Sequence, residues 1–196
     1  LAQDERQHIL TLFKEKWGQL NLLEIDAIGP SIGHELRQKS IIIILLVSFV
    51  LLGYISWRFE FAFGISALIA LLHDALVTLS LAAIFSLEIN TAFIAAILTI
   101  LGYSINDTIV IFDRVRENMA QADQKESFAA IANSAIYQTF TRTVSTSVTT
   151  LCVILSLIIF GGITIKAFCV VLLIGILAGT YSSIFIACPA LLLFTK

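Results

Sequence analysis

Apolar residues gather into five long runs, and the stretch before them, residues 1–39, mixes charged, polar and apolar positions. Within that opening stretch, "DERQHILTLFKEKWG" (4–18) has the spacing of an amphipathic helix closed by Gly18. "NLLEIDAI" (21–28) reads as a short strand, and "GPSIGHELRQKS" (29–40) turns into the next helix. One helix and one strand cannot bury a core, so this part reads as the tail of a larger soluble domain. A first residue of Leu1 fits a piece of a longer chain. The five runs fall at about 40–57, 61–86, 89–112, 138–160 and 163–194. The shortest, 18 residues, reaches ~27 Å as a helix, enough for the hydrocarbon core of a bilayer. A charged, amphipathic segment at about 113–137 separates the third run from the fourth, with Phe128 and Ile131 on the apolar side of a predicted helix over 120–135.

Composition agrees. The chain of 196 residues is 58% hydrophobic and only 13% charged, half the charge of a soluble domain. The reading is an all-α integral membrane bundle. A net charge of −2 provides no basic surface for nucleic acid. Cys152, Cys169 and Cys188 stand singly in apolar runs, which points to packing rather than metal or redox chemistry. Five spans place the two ends of the chain on opposite sides. Arg58, Arg114, Arg116, Lys125 and Lys196 share one side, while the short loop on the other carries only Lys166. With the N-terminal tail outside, the basic side is cytoplasmic, a bias weakened by Arg6, Lys14, Lys16, Arg37 and Lys39.

Four ionisable residues interrupt the apolar runs: His73, Asp74, Asp107 and Arg142. Each is costly in hydrocarbon unless paired, hydrated or neutralised. At 100° per residue the third run gathers Thr99, Gly102, Tyr103, Asn106, Asp107 and Asp113 on one arc, with Ile94, Leu101, Ile105 and Phe112 on the expected lipid face. The fourth run repeats this with Gln138, Thr139, Arg142, Ser145, Thr146, Thr149 and Ser156, opposite Phe140, Val144, Val148, Leu151 and Leu155. Asp107 and Arg142 lie a similar distance inside the same membrane face, so an ion pair, direct or bridged by water, is expected between them. Because the guanidinium keeps its charge, the distance between the helices would control whether the acid holds a proton. A proton crossing the membrane brings ~2.3 kcal/mol per 100 mV, enough to drive a helix rearrangement. The plainer account is a static salt bridge fixing helix register.

Asn106 joins this pair as a candidate coupling residue, and Asp74, in the middle of the second run, with His73, Tyr103 and Thr146 makes a candidate secondary polar site. Asp74 can equally be a neutral acid making one interhelical hydrogen bond. Gly175, Gly179 and Ser183, four residues apart, form a small-residue seam for close helix packing. "FDRVREN" (112–118) is a charged helix end, either solvated or docking a partner.

These motifs resemble a known family. "LGYSINDTIVIFDRVREN" (101–118), "AIGPSIGHEL" (27–36), "ALIALLHDALVT" (67–78), "TRTVSTSVTT" (141–150), "FGG" (160–162) and "GILAGTYSSIF" (175–185) are similar, in order, to the SecF family of the bacterial protein-export machinery. The resemblance implies half of a resistance-nodulation-division (RND) bundle, five of its six transmembrane helices being present. Residues 1–39 would hold the helix–strand remnant of its α+β periplasmic domain. Either a separate SecF or the C-terminal half of a SecD–SecF fusion fits. It further implies that Asp107 is the ion-coupling acid and Arg142 its intramembrane arginine. The coupling ion would be a proton or, as in some relatives, sodium, with no cofactor and no enzymatic activity. The implied partners are SecD, the SecYEG channel, YajC, SecA and the unfolded preprotein, in the bacterial cytoplasmic (inner) membrane.

Two other readings are open on the residues. A proton-coupled small-molecule exporter of the RND type shares the bundle and the acid, but such exporters are much larger chains. An intramembrane aspartyl protease would need Asp74 and Asp107 about 3 Å apart, whereas their positions along the runs put them at different depths.

Overall fold

The computed structural model describes residues 3–18, 30–122 and 126–194. The predicted strand at 21–28 lies outside these. All the regular structure described is helical: α1 (Gln3–Trp17), α2 (Pro30–Arg58), α3 (Phe61–Ile84), α4 (Thr91–Gln121), α5 (Phe128–Phe160), α6 (Ile163–Ser182), a π-helical turn (Ser183–Ala187) and α7 (Cys188–Phe194). Five stretches are long and apolar enough to cross a membrane, and the protein is a multi-pass membrane bundle.

α1 stands in a unit of its own, residues 1–33. It ends where Gly18 takes φ +78, a left-handed position that favours glycine. Ile9, Leu12 and Phe13 share one side of this helix and are exposed.

In the second unit, residues 34–196, α4 and α6 each pack on α3, on α5 and on each other. α2 is peripheral: 6% of its span is buried, against 50% for α4. Among its described side chains only Ile55, near its end, is fully buried, followed by Phe59 beyond it, and Gly64 of α3 admits Ser56 and Leu52 at close range. At the charged end, Arg58 and Arg116 both face the ring of Phe59 (5.4 and 5.1 Å) and both approach Oδ1 of Asp113 (3.8 and 3.6 Å). Arg114 donates to Gln138 Oε1 at 2.6 Å, and this ties α4 to α5. Exposed Trp57 and Phe61 flank this end like the aromatic residues of a membrane interface.

One expectation changes. The segment between the third and fourth spans is not a separate helix over 120–135. α4 continues to Gln121 and α5 starts at Phe128, where Ser127 caps it by accepting from the Ala130 amide. Ser, at that position, competes for backbone bonds and starts a helix better than it continues one. The fifth span is continuous from 163 to 194 but carries a π turn. Pro189 lacks an amide hydrogen and its ring crowds the carbonyl four residues back, which widens the turn ahead of it.

Candidate functional site

The seam between α4 and α6 positions the site. Gly175, Gly179 and Ser183 of the fifth span meet Ile100, Ser104 and Thr108 of α4 in register. A Cβ at Gly175 would overlap the Ile100 side chain, and one at Gly179 would lie 2.9 Å from Ser104 Cβ and 3.5 Å from Asp74 Oδ2. Ser183 Oγ and Thr108 Oγ1 share a hydrogen bond of 3.0 Å. Absent side chains let the two backbones approach, and the hydroxyls of both helices then converge on buried acids.

Asp107 is 3% exposed. Its Oδ2 accepts from Ser147 Oγ of α5 at 3.5 Å, and Ser147 shares a 2.7 Å hydrogen bond with Thr180 Oγ1 of α6. Asp74 of α3 is fully buried. Its Oδ2 accepts from Ser104 Oγ (2.5 Å) and Ser182 Oγ (2.8 Å), and its Oδ1 lies 3.1 Å from His73 Nδ1. The two carboxylates therefore sit in separate hydroxyl cradles and share no hydrogen bond, which removes the shared-proton dyad a protease requires.

Arg142 is exposed, and among the described residues no direct ion pair joins it to Asp107. The expected direct pair is thus not formed here. The reason is angular: α5 turns Thr139, Thr143 and Ser147 into the bundle, and Arg142 falls on the rim of that face. Tyr103 donates to Thr150 Oγ1 at 3.1 Å across the α4–α5 seam. Thr146 bonds back to the Arg142 carbonyl of its own helix at 2.6 Å. Asn106 is exposed.

The faces of α4 also differ from expectation. Leu101, Ile105 and Phe112, read from the sequence as lipid-facing, are 2%, 6% and 0% exposed. Thr99, Gly102 and Asn106 are outside. Exposed Arg142, Ser145 and Thr149 on α5 lie on the other side of the seam marked by Tyr103. Small and polar residues thus form an outward face at membrane depth that no described element covers. Lipid is a poor solvent for such a face, and helix partners in membranes use this composition.

Sequence reasoning missed Ser104, Ser147 and Ser182, the three hydroxyls that touch the acids. Spacing held the signal: Ser147 stands eight residues after Thr139 on the same face, and Ser182 adjoins the Gly175–Gly179–Ser183 seam. Thr143, between Thr139 and Ser147, is buried with its hydroxyl unpartnered.

Such a bundle, with carboxylates held by hydroxyls inside and a polar helix face left open, defines a class: polytopic membrane proteins whose core carries intramembrane acids. Residues 8–196 match the family model described as "Protein export membrane protein SecD/SecF, C-terminal", and the chain belongs to this family. It is 45% identical over 194 residues to the protein translocase subunit SecF of Sebaldella termitidis, covering 99% of this chain and 63% of that one. It is 44% identical over 179 residues to that of Desulfurispirillum indicum, covering 90% and 57%. The chain spans about six tenths of the length of these relatives, which are named as translocase subunits and not as enzymes. Among solved structures it is similar to the crystal structure of SecDF, a translocon-associated membrane protein from Thermus thermophilus. There the TM-score is 0.87 at 35% identity, over 99% of this chain and 27% of that one. A second SecDF structure, in a super-membrane-facing form, gives 0.79 at 34% identity.

Proposed function

We propose that this chain is the membrane portion of a SecF-type subunit that uses the proton motive force to promote late preprotein translocation. Asp107 takes up and releases the coupling proton, and the nearby charge of Arg142 tips the balance between its two states. The observation that carries this reading is a buried carboxylate just behind an uncovered polar face that holds Arg142. A SecD subunit, or the SecD half of a fused chain, closes that face and completes the site. Thr139, Thr143 and Ser147 line the buried side of α5 from the charged end up to Asp107, and the unpartnered Thr143 hydroxyl is a natural stop for water on that route. In this reading the charged end is cytoplasmic and the N-terminal tail periplasmic, in the bacterial inner membrane. The helix movement passes to periplasmic domains that act on the preprotein leaving SecYEG after SecA-driven insertion. YajC is an expected associate, and no cofactor takes part.

The test is export by reconstituted full-length SecD–SecF with SecYEG and SecA, with and without an imposed proton gradient. Arg142→Ala is expected to remove the stimulation by the gradient, and a fully stimulated variant would refute the reading. A separate prediction concerns the open face. A Cβ at Gly102 would meet nothing within 4 Å, so Gly102→Leu fits this chain alone. In complex with SecD it is expected to reduce co-purification at least several-fold, and undiminished pairing would place the partner elsewhere.

A further inference from the structure

Asp74 has no exposed surface, and the coupling scheme above does not use it. The groups that reach it from other helices are neutral hydroxyls, Ser104 on α4 and Ser182 on α6. The titratable groups around it are few. His73 lies on its own helix. Tyr181 of α6 has its ring 6.2 Å from the His73 ring, and Cys188 opens α7, which packs on α3. Asp107 sits in the neighbouring cradle, and Arg142 is exposed on the rim of the buried face of α5. Among the described residues no lysine or arginine forms an ion pair with Asp74.

An unpaired carboxylate in a membrane interior costs several kcal/mol, and two hydroxyl donors offset only part of this. One proton held between Asp74 Oδ1 and His73 Nδ1, 3.1 Å apart, removes the net charge. In the resting form the acid keeps it and donates to a neutral imidazole, and its transfer to Nδ1 makes a transient imidazolium. Asp74 has no route outward of its own, but the His73 side chain is 30% exposed. At mid-span that exposed surface meets lipid or the partner half, so the step takes a water held at the contact with SecD. The imidazolium passes its Nε2 proton to it, leaving a carboxylate accepting from a neutral Nδ1–H. Uptake reverses the step.

We propose that His73 and Asp74 form a second one-proton centre in this half of the complex, distinct from Asp107 and linked to it through α6. The link is concrete. Ser182 binds Asp74, and two residues earlier Thr180 holds Ser147, which binds Asp107. The π turn begins at Ser183, the next residue, so both acids bear on a helix segment whose hydrogen-bond register is already interrupted. The link, though not the centre itself, rests on the reading of Asp107 as a coupling acid.

Infrared difference spectra between acidic and alkaline buffer test this on the full-length protein with its SecD partner in lipid. The variants are Asp74→Asn, His73→Gln and Asp107→Asn. The protonated-carboxyl band is expected to contain a component lost in Asp74→Asn and another lost in Asp107→Asn. His73→Gln should shift the midpoint of the Asp74 component by about one pH unit or more. An Asp74 component that is absent or independent of pH, beside an Asp107 component that titrates, overturns this inference and leaves the coupling reading standing. An Asp74 component that titrates beside an invariant Asp107 keeps the second centre and removes the coupling reading. If Asp74→Asn does not assemble with SecD, His73→Gln decides, because it keeps both hydroxyl bonds to Asp74. An unmoved pH profile in that variant overturns the proposal.

Discussion

Asp107→Asn is expected to bring gradient-stimulated export down to the rate seen without a gradient, while the protein still assembles in the membrane. Asparagine has nearly the volume of aspartate and can still accept from Ser147, so the packing between α4, α5 and α6 persists. What it loses is the ability to change charge. If Asp107 held only helix register, the amide would serve as well and export would stay coupled. Asp107→Glu keeps the acid one methylene farther out in a close-packed site and is expected to retain partial coupling. The pair of variants separates chemistry from packing, and the readout is the ratio of export with and without an imposed gradient.

Gly175→Ala is expected to destabilise the bundle by about 1–3 kcal/mol, the range for forcing a methyl group into a filled core. The added carbon would overlap the branched part of Ile100, itself 1% exposed and unable to turn aside. α6 would have to move away from α4, and Ser104, Ser182 and Asp74 lie along the same seam. Thermal or denaturant unfolding in detergent measures the loss. Gly53→Ala on the peripheral α2, with nothing within 4 Å, is the control and is expected to stabilise by ~0.5–1 kcal/mol through helix propensity. Adding Ile100→Ala to Gly175→Ala should restore part of the loss, since the overlap is pairwise. Equal effects of Gly175→Ala and Gly53→Ala would show that the seam does not govern packing.

Much of the fold was legible because membrane spans are written in long apolar runs, and all five were found. The sides of those spans were less so. Leu101, Ile105 and Phe112 look the same whether they face lipid or core, because both surroundings are apolar. Polarity therefore marked the special face of α4 without telling inside from outside. The acids and Arg142 were legible because charge in a span is costly. Ser104, Ser147 and Ser182 were not, since a hydroxyl can bond back to its own helix, as Thr146 and Thr149 do, and only the packed structure shows which ones turn to a carboxylate. The direct Asp107–Arg142 pair did not form because a polar arc marks one side of each helix without saying which part of it turns to the neighbouring helix.

Whether Asp107 carries the coupling proton is decided by proton flux itself. Full-length SecD–SecF would be reconstituted in vesicles containing a pH-sensitive dye, and acidification followed after an imposed gradient during export. Wild type is expected to acidify the interior, and Asp107→Asn to remain at the level of protein-free vesicles. Acidification by Asp107→Asn at the wild-type rate would contradict the assignment of the coupling proton to this carboxylate.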